Sequence, residues 1–255
     1  MHPILFKFHR IVVYTYGLCV AIGALLGMGY IRWQGVKIPL TPKQIYDLVF
    51  YVLVSGLIGA RLCYVIINIK EFDQFVDIFK IWEGGLVFYG GLIGGFITFI
   101  ILLKLWKINF FAGADVFAPA LMLAHSIGRI GCFFAGCCYG SQTSLPWGIT
   151  FTNPFSLAPL GAALQPTQIY AAAGNFIIFI FLHIRSLRKK YHGEILLWYI
   201  ILYGIFRFCV EIFRADSRGP EFLSMTIMQY FSLFIAGAGI ILMKKGMLKH
   251  LTSGI

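Results

Sequence analysis

Residues 194–213 read EILLWYIILYGIFRFCVEIF, a run in which only Glu194, Arg207 and Glu211 are charged. An α-helix rises about 1.5 Å per residue, so this stretch is about 30 Å long when helical, the depth of a bilayer's hydrocarbon core. It reads as a transmembrane span with an arginine and a glutamate inside it. Working outward, comparable apolar runs lie at 11–33, 46–69, 84–105, 115–136, 168–185 and 223–243. The pattern predicts an all-α membrane protein of about seven transmembrane helices, a single transmembrane domain over residues 1–255 with no soluble domain left over. The run from Ile11 to Trp33 is too long and glycine-rich for a signal peptide and lacks a small-residue cleavage site, so it too is read as a span.

Composition agrees. The 255 residues are 59% hydrophobic and 12% charged, with a mean hydropathy of +0.83, which excludes an ordinary soluble globular domain. The net charge of +11 does not point to nucleic acid, because the basic residues are scattered between apolar runs and not gathered on a soluble face. They read as topology signals. Arg32, Lys37 and Lys43 lie between the first two spans, Lys104 and Lys107 between the third and fourth, and Arg185, Arg188, Lys189 and Lys190 between the fifth and sixth; Lys244, Lys245 and Lys249 are in the tail. These outnumber Lys7, Arg10, Lys70, Lys80, Arg214 and Arg218 on the opposite side, where Glu71, Asp73 and Asp77 offset them. The positive-inside rule then puts the N-terminus outside and the C-terminus in the cytoplasm. The stretch from Tyr139 to Thr167 has no Lys, Arg, Asp or Glu but contains Pro146, Pro154, Pro159 and Pro166, which predicts a non-helical, partly re-entrant outer loop facing lipid.

Three arginines remain inside spans: Arg61, Arg129 and Arg207. An arginine at a helix centre costs about 2.5–3.5 kcal/mol on insertion scales, so each needs a reason. Snorkelling or an internal ion pair is one; a cavity for an anionic headgroup is another, because a guanidinium fork binds phosphate bidentately. Arg207, Glu211 and Arg214 are spaced i, i+4, i+7 on one helical face, which builds in an ion pair. His125 stands four residues before Arg129, where a neighbouring cation favours the neutral imidazole and so a proton acceptor. Cys132, Cys137 and Cys138 form a C-x4-C-C group that lacks the paired C-x2-C of structural zinc sites, with His125 the only nearby fourth ligand. No metal is assigned to it; a disulfide and small-residue packing are the other readings. The glycines of Gly84-Gly85 and Gly90-Gly91-Leu92-Ile93-Gly94-Gly95 serve close helix packing, backbone approach to a ligand, or both at once.

The motifs Tyr16-Gly17, Gly59-Ala60-Arg61-Leu62-Cys63-Tyr64, Trp82 to Gly94, Gly128-Arg129-Ile130-Gly131, Pro166-Thr167-Gln168-Ile169-Tyr170 and Phe206 to Arg214 occur in that order. Taken together they resemble the bacterial prolipoprotein diacylglyceryl transferases. That resemblance implies an enzyme of the bacterial plasma membrane that moves the diacylglyceryl unit of phosphatidylglycerol to the cysteine thiol of a secreted precursor, releasing glycerol 1-phosphate. It implies that Arg129 and Arg207 grip the lipid phosphate, that Glu211 orients Arg207, and that Tyr16, Gly90 and Gly91 line the lipid site. Arg61, Tyr89, Cys132, Cys137, Gln168, Tyr170 and Arg214 stand within or beside the matching motifs and complete the candidate substrate-binding set. No metal or organic cofactor is implied.

The pattern departs from the family at polar positions. Tyr89 replaces the histidine of a His-Gly-Gly motif assigned to activating the acceptor thiol. Cys132, Ala135 and Cys137 replace Asn, Asn and Glu, while Gln165 and Ala171 replace His and Glu. Either His125 takes over as the base, or the lipid-phosphate grip serves another acceptor, including the chain's own thiols. A lipid or anion transporter is a third reading, although no internal repeat is evident.

Overall fold

The computed structural model describes residues 1–8, 11–34, 38, 40–72, 74–80, 84–216, 221–223 and 225–252. Arg10, Lys37, Asp73, Trp82, Glu83 and Arg218, used above as charge or motif positions, lie outside them. Seven helices follow one another: α1 (Thr15–Gln34), α2 (Pro42–Ile67), α3 (Phe88–Leu105), α4 (Phe110–Ala135), α5 (Thr167–Ser186), α6 (Glu194–Phe213) and α7 (Ile227–Thr252). Each has the length and apolarity of a membrane span, and their many outward Leu, Ile and Phe side chains are what a lipid-facing surface requires. The protein is an all-α multi-pass membrane protein.

Three spans, α1, α3 and α7, start four residues later than the apolar pattern predicts. Ile11–Tyr14 is not helix but a strand, β2, paired antiparallel with β1 (Ile4–Phe8), in keeping with its β-branched Ile11, Val12 and Val13. Gly84 and Gly85 both have left-handed φ, +94° and +73°, so α3 begins only at Phe88. Several starts are locally encoded. Thr41 caps α2 in a capping box with Gln44, with Pro42 in the first turn. Thr226 and Gln229 do the same for α7, and Asn109 Oδ1 accepts from the Ala112 N–H at the start of α4.

The chain forms two compact units, residues 32–113 and residues 1–31 with 114–255. In the first, α2 and α3 pack backbone to backbone through glycine. A side chain at Gly59 or Gly90 would overlap the other helix, and one at Gly91 would come within 3.1 Å of the Gly56 carbonyl oxygen. Their surroundings support small-residue packing. In the second unit, Met122 of α4, Ile178 and Leu182 of α5 and Ile195 of α6 make a buried core, with Tyr203 and Phe206 against it. Gly23 of α1 lies against the Ala124 backbone of α4, and Gly204 of α6 against Ser232 and Ala236 of α7.

The segment between α4 and α5 is non-helical apart from the two-residue strands β3 (Ile149–Thr150) and β4 (Ala163–Leu164). Phe151, Ala158 and Leu164 give it a small core, while Trp147, Phe155, Leu157 and Leu160 face outward. A further short hairpin, β5 (Glu221–Phe222) with β6 (Met225–Thr226), precedes α7.

Candidate functional site

The termini of α4, α5 and α6 surround a narrow cleft lined by His125, Arg129, Cys138, Thr167, Ala171, Asn175, Tyr203, Phe206, Arg207, Val210 and Arg214. Three arginines thus converge on one space. A cleft that buries guanidinium groups inside a span is suited to an anion, because their desolvation is offset only by a charged partner.

Each arginine is held differently. Arg207 Nη1 pairs with Glu211 Oε2 at 2.7 Å, four residues on, and the Glu211 side chain is wholly buried. Thr226 Oγ1 donates to the other Glu211 oxygen at 3.3 Å, so the carboxylate is fixed from two sides and fixes Arg207 in turn. Arg214 lies past the end of the helix, where its backbone turns extended. The i+7 spacing therefore does not hold it on the α6 face. It reaches the cleft from the cap position and donates from Nε and Nη2 to both oxygens of Asp216, at 3.1 and 2.8 Å. Burial pushes the Asp216 carboxyl up, opposed by Arg214. Arg129 has no carboxylate among the described residues. Its Nε donates to His125 Nε2 at 3.1 Å. That bond occupies the acceptor lone pair of the imidazole, so the neutral ring carries its proton on Nδ1 and a base role would require the bond to break.

The neighbouring loop is pinned at its carbonyls. Gly136, with φ +77°, ends α4 where any side chain would overlap Ser156. Cys138 is itself left-handed at φ +60°, rare for a residue with a side chain. Thr167 Oγ1 donates to the Cys138 carbonyl at 2.7 Å, and Gln168 Nε2 to that of Cys137 at 2.8 Å. The chain doubles back, and the sulfurs of Cys132, Cys137 and Cys138 all lie within 4.8 Å of one another, the described group with the arrangement of metal ligands. Hydrogen bonds from the Cys132 and Cys137 thiols pull the Cys138 thiol well below the ordinary cysteine range; burial opposes this, and the charges of Arg214 and Arg129 add to it.

The other sequence candidates are placed as follows. Tyr16 of α1 lies over Gly131. Gln168 and Tyr170 stand behind the cleft: Gln168 serves the cysteine loop, and the Tyr170 hydroxyl accepts from Trp147 Nε1 at 2.8 Å. In the 32–113 unit, Arg61 is buried with its donors committed. Nε and Nη2 donate to the Ile78 and Asp77 carbonyls at 2.8 Å, and Nη1 to those of Gly84 and Gly85 at 2.8 and 3.1 Å, between the rings of Tyr64 and Phe72. That is a structural role, the alternative to headgroup binding. Tyr89 is half-exposed at the start of α3, and Gly90 and Gly91 face α2.

Sequence reasoning missed Thr167, Asn175 and Tyr203. Asn175 is the most telling, since it is 1% exposed and its Oδ1 has no hydrogen-bond partner among the described residues. A lone asparagine inside the apolar run Ile169–Phe181 was the signal available for it.

A multi-pass helical membrane protein with a cationic cleft at the ends of three helices is the class these features define. Comparison with known proteins narrows it. The family model described as prolipoprotein diacylglyceryl transferase matches residues 3–244. The phosphatidylglycerol–prolipoprotein diacylglyceryl transferase of Clostridium tetani is 36% identical over 94% of this chain and 96% of its own. A second such enzyme from Clostridium perfringens is 34% identical over 98% and 97%, and that of Finegoldia magna 34% over 96% of both. The chain belongs to the prolipoprotein diacylglyceryl transferase family.

Proposed function

We propose that the protein transfers the diacylglyceryl unit of phosphatidylglycerol to the cysteine thiol of a prolipoprotein in a bacterial plasma membrane, its two compact units acting as one transferase domain. The observation that carries this is the convergence of Arg129, Arg207 and Arg214 on one cleft within a chain of this family. Arg129 and Arg207 take the lipid phosphate. The acceptor thiol gives up its proton to water, attack by its sulfur on the glyceryl carbon breaks the carbon–oxygen bond, and charge grows on the departing glycerol phosphate. Guanidinium groups already fixed in place stabilise that charge more than they stabilise the starting diester. Glu211 and His125 act as positioning residues, one for each arginine, and the unpartnered Asn175 Oδ1 is available to a headgroup hydroxyl.

The excess of Lys and Arg on the α1–α2, α3–α4 and α5–α6 connections supports a cytoplasmic location for them. The C-terminal ends of α4 and α6 are then on the outer side, where a secreted precursor arrives. The test is to incubate the purified protein with phosphatidylglycerol and a cysteine-containing lipobox peptide and weigh the peptide by mass spectrometry. A diacylglyceryl adduct on the thiol is expected. Its absence, while the Clostridium tetani relative modifies the same peptide, contradicts the assignment.

A further inference from the structure

The three clustered thiols are unused by the transfer as described. All are free, and two features hold the cluster together: the left-handed turn at Gly136 and Cys138, and the carbonyl bonds from Thr167 and Gln168, each 1% exposed. Disulfide chemistry would join two sulfurs and leave the third unexplained. Tetrahedral zinc explains all three. With zinc–sulfur bonds of about 2.3 Å the sulfurs of a zinc thiolate stand about 3.8 Å apart, within a small adjustment of the observed grouping inside 4.8 Å. Three thiolates on a divalent ion carry a net charge of minus one, and Arg129 and Arg214, which line the same cleft as Cys138, stand near it.

We propose that Cys132, Cys137 and Cys138 bind one zinc ion whose fourth position opens toward the cleft, where Cys138 stands, and receives the acceptor thiol. The second half of this rests on the transfer reaction proposed above. Binding the ion releases a proton from each protein thiol. The acceptor S–H then gives its proton to water as its sulfur joins the zinc, which makes the thiolate without a protein base. That sulfur forms the new bond to the glyceryl carbon as the carbon–oxygen bond breaks, and the bonding pair leaves on the phosphate oxygen. Zinc remains divalent throughout. This gives a role to the cysteines at 132 and 137 and supplies the thiol activation for which Tyr89, unlike a histidine, is not equipped.

The experiment uses the full chain in detergent, reduced and stripped of metal, titrated with cobalt(II) as the probe. One equivalent is expected to bind with the intense visible bands of a tetrahedral thiolate complex, and zinc to displace it. Cys132→Ser and Cys137→Ser lose this binding, Cys209→Ser keeps it, and Cys138→His, which retains a ligand atom, binds with a shifted spectrum even if a serine variant misfolds. Adding a lipobox peptide shifts the bands, and its serine analogue does not. The proposal is overturned if no tetrahedral complex forms, if thiol titration of the unreduced protein shows two of the three cysteines joined, or if the serine variants bind as the wild type does. Because cobalt binding is read without lipid, its failure is distinct from failure of the transfer assay.

Discussion

The two ends of the α4–α6 pair treat charge in opposite ways. At one end Asp115, buried in α4, accepts from the backbone N–H groups of Gly193, Ile195 and Leu196 at 2.8–3.0 Å and from Lys189 at 3.3 Å. Arg185 pairs with the buried Glu194 beside it. Lys189 and Arg185 there each have a buried carboxylate, and the first turn of α6 is capped from another helix. At the other end three arginines share Glu211 and Asp216, and Arg129 has an imidazole where a carboxylate would be expected. The closed end is a joint; at the open end Arg129 has no carboxylate among the described residues, which is the place the proposed function gives to a lipid phosphate.

The comparison can be broken at either end. The largest effect belongs to the joint: Asp115→Ala strands three backbone donors and is expected to lower stability by about 3–5 kcal/mol, read by denaturation in detergent micelles. Folded Asp115→Ala protein should still turn over. At the open end Arg129→Ala and Arg207→Ala should each cut turnover about a hundred- to a thousandfold with little loss of thermal stability; near wild-type activity in either would refute the phosphate grip. Glu211→Gln keeps a hydrogen-bond acceptor but loses the charge, and a drop of about tenfold is expected. Smallest is His125→Gln, whose amide oxygen can still accept from Arg129 Nε. Turnover within about threefold and an unchanged pH profile are expected, whereas a general base would lose about a hundredfold or more.

Much of this was legible in the sequence because burying charge in lipid is expensive. Arg129 and Arg207 stood out for that reason, and their i+4 partners His125 and Glu211 followed from helical geometry. The α6 span was readable at both ends, since the apolar run 194–213 is the helix Glu194–Phe213. What was not legible depends on contacts far apart in the chain. Asp115 caps a helix about eighty residues away, and Arg61 spends its donors on carbonyls of a loop that pattern alone does not place. Cys138 is brought to the cleft by a turn whose geometry depends on Thr167. The strand at Ile11–Tyr14 was hidden because its apolar residues extend the α1 run without interruption.

The central claim is that the open end holds a lipid phosphate, and native mass spectrometry of protein reconstituted with equal phosphatidylglycerol and phosphatidylcholine tests it most directly. Wild-type and Asp115→Ala protein should retain phosphatidylglycerol in preference, and the Arg129→Ala, Arg207→Ala double variant should lose that preference. A double variant that retains phosphatidylglycerol as the wild type does would contradict the account.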